Sequence, residues 1–223
     1  SNTEGHCNTA LGARSLKSNS TGDGNVAIGY HALCTNTTAS VNTAVGFCAM
    51  ESNTTGGSNT AVGTNTLQAN TTGTDNTAVG RDSLAAATTG DSNVAVGKDS
   101  MKANTTGTNN GAFGSRTLQL NTGGTNNVAV GDLALGSNTT ADDNTAVGVS
   151  SLRQNTTGGR NTAVGYISLY SNTTGVQNTA YGYDSASANI DGSYNTALGA
   201  YSLGDNTTGS YNVAVGRQAL KYN

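Results

Sequence analysis

Asn42-Thr43-Ala44-Val45-Gly46 is the stretch whose reading decides the fold. The pattern Asn-x-Ala-x-Gly begins at residues 8, 25, 42, 59, 76, 93, 110, 127, 144, 161, 178, 195 and 212. That is thirteen copies, seventeen residues apart, without an insertion or deletion. A fixed period marks a repeat architecture, in which single units cannot bury an apolar face alone and stack on their neighbours.

With the Asn as position 1, the consensus runs Asn, Thr/Val, Ala, Val, Gly, x, x, Ser/Ala, Leu, x, x, Asn, Thr, Thr, Gly, x, x. Position 9 is Leu in ten copies, Met at Met50 and Met101, and Ala at Ala186. Position 12 is Asn in every copy except that of Ala87. Of the 23 charged residues, 21 fall at positions 6, 7, 10, 11, 16 and 17, which places those positions in water, because ionised groups are costly to bury.

Composition narrows the class. The chain of 223 residues is 34% hydrophobic and 10% charged, with a net charge of -3. So few apolar residues can mean disorder, but here they keep strict register, which implies packing. There is no basic patch for phosphates, so nucleic-acid binding is not expected. No apolar run approaches a membrane span, so no membrane insertion is expected in this segment. No signal peptide is evident. The chain begins and ends in mid-repeat, as expected of a segment of something longer or a unit covered by neighbours.

The pattern predicts an all-β parallel β-solenoid over 1–223, a single uninterrupted repeat region without caps. Each repeat makes one coil, and coils stack at about 4.8 Å, so thirteen coils form a rod of about 60 Å. Positions 1 to 5 form the strand, the glycines at 5 and 15 mark corners, and Asn-Thr-Thr-Gly reads as a tight connection. Positions 6 to 11 read as a second strand or a short helical turn. Stacked amides hydrogen-bond from coil to coil. A structural ladder is therefore expected at Asn8, Asn25, Asn42, Asn59, Asn76, Asn93, Asn110, Asn127, Asn144, Asn161, Asn178, Asn195 and Asn212, with a second at position 12. The rival reading of the position-12 column is glycosylation, since nine of its asparagines, among them Asn36 and Asn53, begin Asn-x-Ser/Thr.

The strand is apolar on both faces. Val at position 4 with Thr or Val at position 2 is expected to pack the coil's own core. The alanines point to the other face. Unbroken alanine there suggests a second sheet approaching closely. An oligomer interface is therefore expected at Ala10, Ala27, Ala44, Ala61, Ala78, Ala95, Ala112, Ala129, Ala146, Ala163, Ala180, Ala197 and Ala214, with other copies of the chain as partners.

The stretch Asn25-Val26-Ala27-Ile28-Gly29-Tyr30-His31-Ala32 resembles the head repeat of YadA-like trimeric autotransporter adhesins, whose motif is close to S-V-A-I-G-x-x-S/A. Asn93-Val94-Ala95-Val96-Gly97 and Asn212-Val213-Ala214-Val215-Gly216 are similar. The resemblance covers the strand half of every repeat. It implies a left-handed β-roll, a trimer on a bacterial surface, and binding to host matrix or other cells. The family's usual coil is shorter, and Asn-Thr-Thr-Gly is extra here. The whole repeat also resembles repetitive regions of bacterial surface proteins and phage fibres.

Little else suggests chemistry. Cys7, Cys34 and Cys48 occupy positions 17, 10 and 7 and form no disulfide framework. His31 and Cys48 share position 7 in consecutive coils, with His6 and Cys7 nearby in sequence, but no ligand spacing completes a set, and no metal or cofactor is expected. Asp82 and Asp99 share position 7 beside Arg81 and Lys98 and read as a solvated charge strip. No catalytic constellation is apparent, so no enzyme is expected. Eight of nine tyrosines lie after residue 165, mostly at outward positions where aromatics can meet a protein or a sugar.

The expected function is a structural and adhesive segment of an extracellular fibre or cell-surface appendage, meeting a cell-surface or matrix ligand. The alternatives are a phage or virus tail-fibre shaft and an ice-binding solenoid. The last is suggested by the Thr columns at positions 13 and 14, although a Thr-x-Thr row is missing.

Overall fold

The computed structural model describes residues 2–222. It is all-β, a parallel β-solenoid with one coil per seventeen residues. The chain divides into two compact units, Ser1–Asn110 and Gly111–Asn223. The division falls directly after the Asn of the seventh copy.

The first unit carries β1 (Thr9–Leu11), β2 (Val26–Ile28), β3 (Thr43–Val45), β4 (Thr60–Val62), β5 (Thr77–Val79) and β6 (Val94–Val96). The second carries β7 (Gly111–Phe113), β8 (Val128–Val130), β9 (Thr145–Val147), β10 (Thr162–Val164), β11 (Thr179–Tyr181), β12 (Thr196–Leu198) and β13 (Val213–Val215). Within each unit every strand pairs in parallel with the next, position for position: Ala44 with Ala61, Ala61 with Ala78, Ala129 with Ala146. The exact period leaves no other register in which all columns match.

Each strand has only three residues, and the rest of the coil is turns. Positions 6 to 11 are neither strand nor helix but successive turns. Their cause is local backbone. Positions 7 and 9 take positive φ in every coil, as does position 17. Position 9 has φ between 46° and 51° throughout. A β-branched side chain is especially poor in this left-handed region, and position 9 is Leu, Met or Ala and never Val, Ile or Thr. The cost of about 1–2 kcal/mol for a left-handed residue is offset by burying a Leu, worth about 1.5–3 kcal/mol. Leu33, Met50, Leu67, Leu84 and Met101 are all fully buried.

Position 5 needs glycine for two reasons. Gly63 has φ 135°, and a Cβ there would lie 2.9 Å from the carbonyl carbon of Gly80 in the next coil. No side chain fits between coils at that corner.

The strand is turned the opposite way from the sequence expectation. The alanine column faces the coil's own interior: Ala61 and Ala78 are 0% exposed in the single chain, and Ala27 through Ala214 are all buried, with only Ala10 of the first coil exposed. Positions 2 and 4 face outward. The expected alanine interface is therefore corrected, since a side chain enclosed by its own coil cannot meet a partner. The reason is room. The buried Leu or Met of position 9 and two asparagines already occupy the coil's interior, so the smallest side chain of the strand turns inward.

Overpacking a core usually costs about 1–3 kcal/mol. Ala78→Leu is expected to lower the thermal midpoint by a loss of that size, read by circular dichroism, whether or not chains are associated.

Candidate functional site

Two asparagine columns hold the coils together. At position 1, each side-chain oxygen accepts the backbone N–H of the next Asn, as at Asn42 Oδ1 from Asn59 N, 2.9 Å. Its amide donates to the position-15 carbonyl of the same copy, fourteen residues on, as Asn42 Nδ2 to Gly56 O, 2.9 Å. At position 12, Asn53 Nδ2 donates both to Asn36 Oδ1, 2.9 Å, and to Gly56 O, 3.0 Å. A third ladder runs along position 13, where Thr54 Oγ1 donates to Thr71 O, 3.0 Å. From Asn19 to Asn206 these asparagines are buried, and Asn8 and Asn212 in the position-1 column are half-buried. The glycosylation reading therefore fails for the folded coil: Asn36 and Asn53 are fully enclosed and spend both amide hydrogens inside it. The ladder also ties up the position-13 hydroxyls that the ice-binding reading would use.

The single break in the position-12 column is visible in the bonding. Asn70 Oδ1 is buried and has no partner, because Ala87 stands where the next donor amide belongs. Asn144 Nδ2 is the other buried side-chain polar atom without a partner among the described residues.

The outward strand face is a surface repeated from coil to coil. In the first unit it shows Val45, Val62, Val79 and Val96, with Thr43, Thr60 and Thr77 beside them, all half-buried or exposed. Val62 is 37% exposed and Val79 36%. In the second unit Phe113, Val128, Val130, Tyr181, Leu198, Val213 and Val215 are exposed on the corresponding face. Position 6 widens it with aromatic rings: Tyr30 stacks on Phe47 at 5.4 Å, and Tyr166 on Tyr183 at 5.5 Å. Contiguous apolar rows on a soluble surface mark interaction sites. No helix is long and apolar enough to cross a membrane among the described residues.

The tyrosines of the second unit form short rows. Tyr183 also meets Tyr201 edge-on at 5.3 Å, and Tyr194 lies parallel to Tyr211 at 4.9 Å. The Tyr201 hydroxyl beside it pushes the Tyr183 phenol above its usual range. Arg153, Tyr166, Tyr170 and Asp184 border an open cleft of about 490 Å³.

On the first unit, positions 7 and 10 of neighbouring coils meet at one corner. At coils five and six the corner carries charge: Lys102 Nζ lies 3.1 Å from Asp99 and 3.7 Å from Asp82. Opposite signs sit side by side as read along positions 6 and 7, with Arg81 and Lys98 each 3.7 Å from Asp82 and Asp99 respectively, but the strip is less solvated than expected, since Asp99 is buried and only the cations are well exposed. At coils two and three the same corner holds His31, Cys34, Cys48 and Glu51. His31 Nδ1 lies 2.8 Å from Glu51 Oε1, and the ligand-type atoms of His31, Cys48 and Glu51 are all within 4.8 Å of one another. Burial pushes the Cys48 thiol up to about 11, reinforced by its hydrogen bond to Glu51. His31, and then Gln68, hold the Glu51 carboxyl below its usual range by hydrogen bonding. A buried thiol so hard to ionise is no nucleophile. Sequence reasoning linked His31 to Cys48 but missed Glu51, and it grouped them with His6 and Cys7, which lie outside the cluster. The overlooked signal is the spacing His-x2-Cys-x13-Cys-x2-Glu from 31 to 51, two pairs three apart and one period away.

Two outcomes follow from these geometries. Ala87→Asn is expected to supply the missing donor to Asn70 and raise stability by about 1 kcal/mol, the ordinary net worth of one hydrogen bond, measured by thermal melting. Iodoacetamide on the native reduced protein is expected to label exposed Cys7 and spare Cys48 until denaturant is added, as read by peptide mass spectrometry. No family model matches the chain, nor does any curated protein or solved structure compared with it, so a functional reading rests on the geometry and the repeat itself.

Proposed function

We propose that this chain is a structural and adhesive segment of an extracellular fibre or cell-surface appendage, in which copies of the chain bundle through their outward strand faces. The observation that carries the reading is the open row of positions 2 and 4. Val62 and Val79 are about one-third exposed, so burying what remains of each is worth about 0.5–1 kcal/mol, and the row adds this contribution coil after coil. Laddered backbone and amide bonds give the segment stiffness along its axis, and bundling multiplies weak surface contacts through valency. The tyrosine rows of the second unit supply the contact surface for a cell-surface or matrix ligand.

One observation favours a second reading. Thr43, Thr60 and Thr77 form an outward column at the inter-strand spacing of about 4.8 Å, the kind of flat, regular hydroxyl array an ice-binding solenoid needs. Thermal hysteresis from the isolated chain would select that reading.

The fibre reading is tested with Val62→Asp combined with Val79→Asp. Light scattering on the wild-type chain is expected to show an oligomer, and the double variant to run as a monomer with unchanged circular dichroism. A wild-type chain that stays monomeric across the accessible concentration range would overturn the reading.

A further inference from the structure

We propose that His31, Cys48 and Glu51 form a metal site of the zinc class that clamps the second coil to the third. The donors come from both coils: His31 from the second, Cys48 and Glu51 from the third. They are an imidazole nitrogen, a thiol sulfur and a carboxylate oxygen, already within 4.8 Å of one another at a corner that is half-buried to buried. This mixed set suits a borderline divalent cation. A hard cation such as Ca²⁺ or Mg²⁺ would reject the sulfur, whereas Zn²⁺ takes all three at about 2.0–2.3 Å. Tetrahedral bonds of that length put ligand atoms about 3.3–3.7 Å apart, so closure needs only side-chain movements of about 1 Å.

The surroundings are those of a positioned site. The Tyr30 ring lies on the His31 ring at 4.1 Å with 13° between planes, which sets the imidazole orientation. Gln68 Nε2 donates to Glu51 Oε2 at 3.2 Å and holds the carboxylate from the other side. Outer partners of this kind orient ligands and tune affinity. Elsewhere in the first unit the same corner serves a different purpose, as the Lys102 pairs with Asp82 and Asp99 show. Only between residues 31 and 51 are all four corner positions ligand-type residues.

Protons balance as follows. In the free protein His31 Nδ1–H donates to Glu51, and Arg14 Nη1 donates to Nε2 at 3.3 Å. On binding, Nδ1 gives its lone pair to the ion and the ring proton moves to Nε2. The exposed Arg14 side chain then swings into solvent. The Cys48 thiol proton leaves to water, and the thiolate takes the ion. One proton is released per ion bound. The inference does not depend on whether the strand face is an interface.

The test uses the full chain, reduced, freed of metal by chelation, and titrated with Co²⁺ and then Zn²⁺. One equivalent of Co²⁺ is expected to produce a thiolate-to-cobalt charge-transfer band that Zn²⁺ abolishes by displacement. Cys48→Ser is expected to lose the band. His31→Ala and Glu51→Gln are expected to weaken binding at least about tenfold, since even outer-shell changes cost about 10–100-fold. Cys7→Ser, at an exposed cysteine outside the cluster, is expected to bind as the wild type does. Zn²⁺ is expected to raise the thermal midpoint of the wild type and not that of Cys48→Ser. Circular dichroism checks each fold, and Glu51→Gln, at a partly exposed side chain, carries the test if Cys48→Ser does not fold. Absence of the band, undiminished binding by the folded cluster variants, or loss of the band in Cys7→Ser would each overturn the proposal.

Discussion

The spacing between stacked strands governs this molecule. At about 4.8 Å, every group in one coil sits within hydrogen-bonding reach of its counterpart in the next. A group that bonds well to a copy of itself is therefore satisfied along its whole column, and a group that does not is wrong many times over. Asparagine is suited to this because one side chain carries both an acceptor and two donors. At position 12 it donates to the Asn of the preceding coil and to a carbonyl of its own turn; at position 1 it accepts a backbone N–H from the following coil and donates to the position-15 carbonyl of its own copy. Ala87 shows the rule by breaking it, since its absent amide leaves Asn70 Oδ1 buried without a partner.

The second constraint is the narrow lumen. A coil of seventeen residues built on a three-residue strand encloses little more than two asparagines, an alanine, a small residue at position 8 and a Leu or Met. The left-handed backbone at positions 7, 9 and 17 makes so tight a path possible, and the buried Leu or Met compensates for the strain at position 9. With the interior filled by small groups, the larger strand residues are displaced to the outside. The apolar outward face is thus a consequence of how little the inside can hold, and it is also the surface through which bundling is proposed.

The same stacking brings together residues that are distant in sequence. Positions 7 and 10 of adjacent coils converge because of the turn path, which was not readable as strand or helix. The corner lies at the edge of the coil and not in its lumen, and it carries lysine and aspartate in one place and histidine, cysteine and glutamate in another. Departures from a strict repeat are informative for this reason: the repeat accounts for the scaffold, and chemistry beyond it sits where the pattern is free to vary.

The sequence by itself determined the period, the parallel in-register stacking, the asparagine columns and the exclusion of charge from the interior. Each of these follows from identical residues meeting identical residues at one spacing, and a fixed period states that directly. Only the tertiary structure decided which face of Thr43-Ala44-Val45 turns inward. Both faces are apolar, so alternation could not choose, and the choice came from lumen volume, a property of the closed coil. The tertiary structure alone also placed Glu51 beside His31 and Cys48, because the path of positions 6 to 11 depends on left-handed residues at positions 7 and 9. Their side chains, from arginine to isoleucine at position 7, do not announce that conformation.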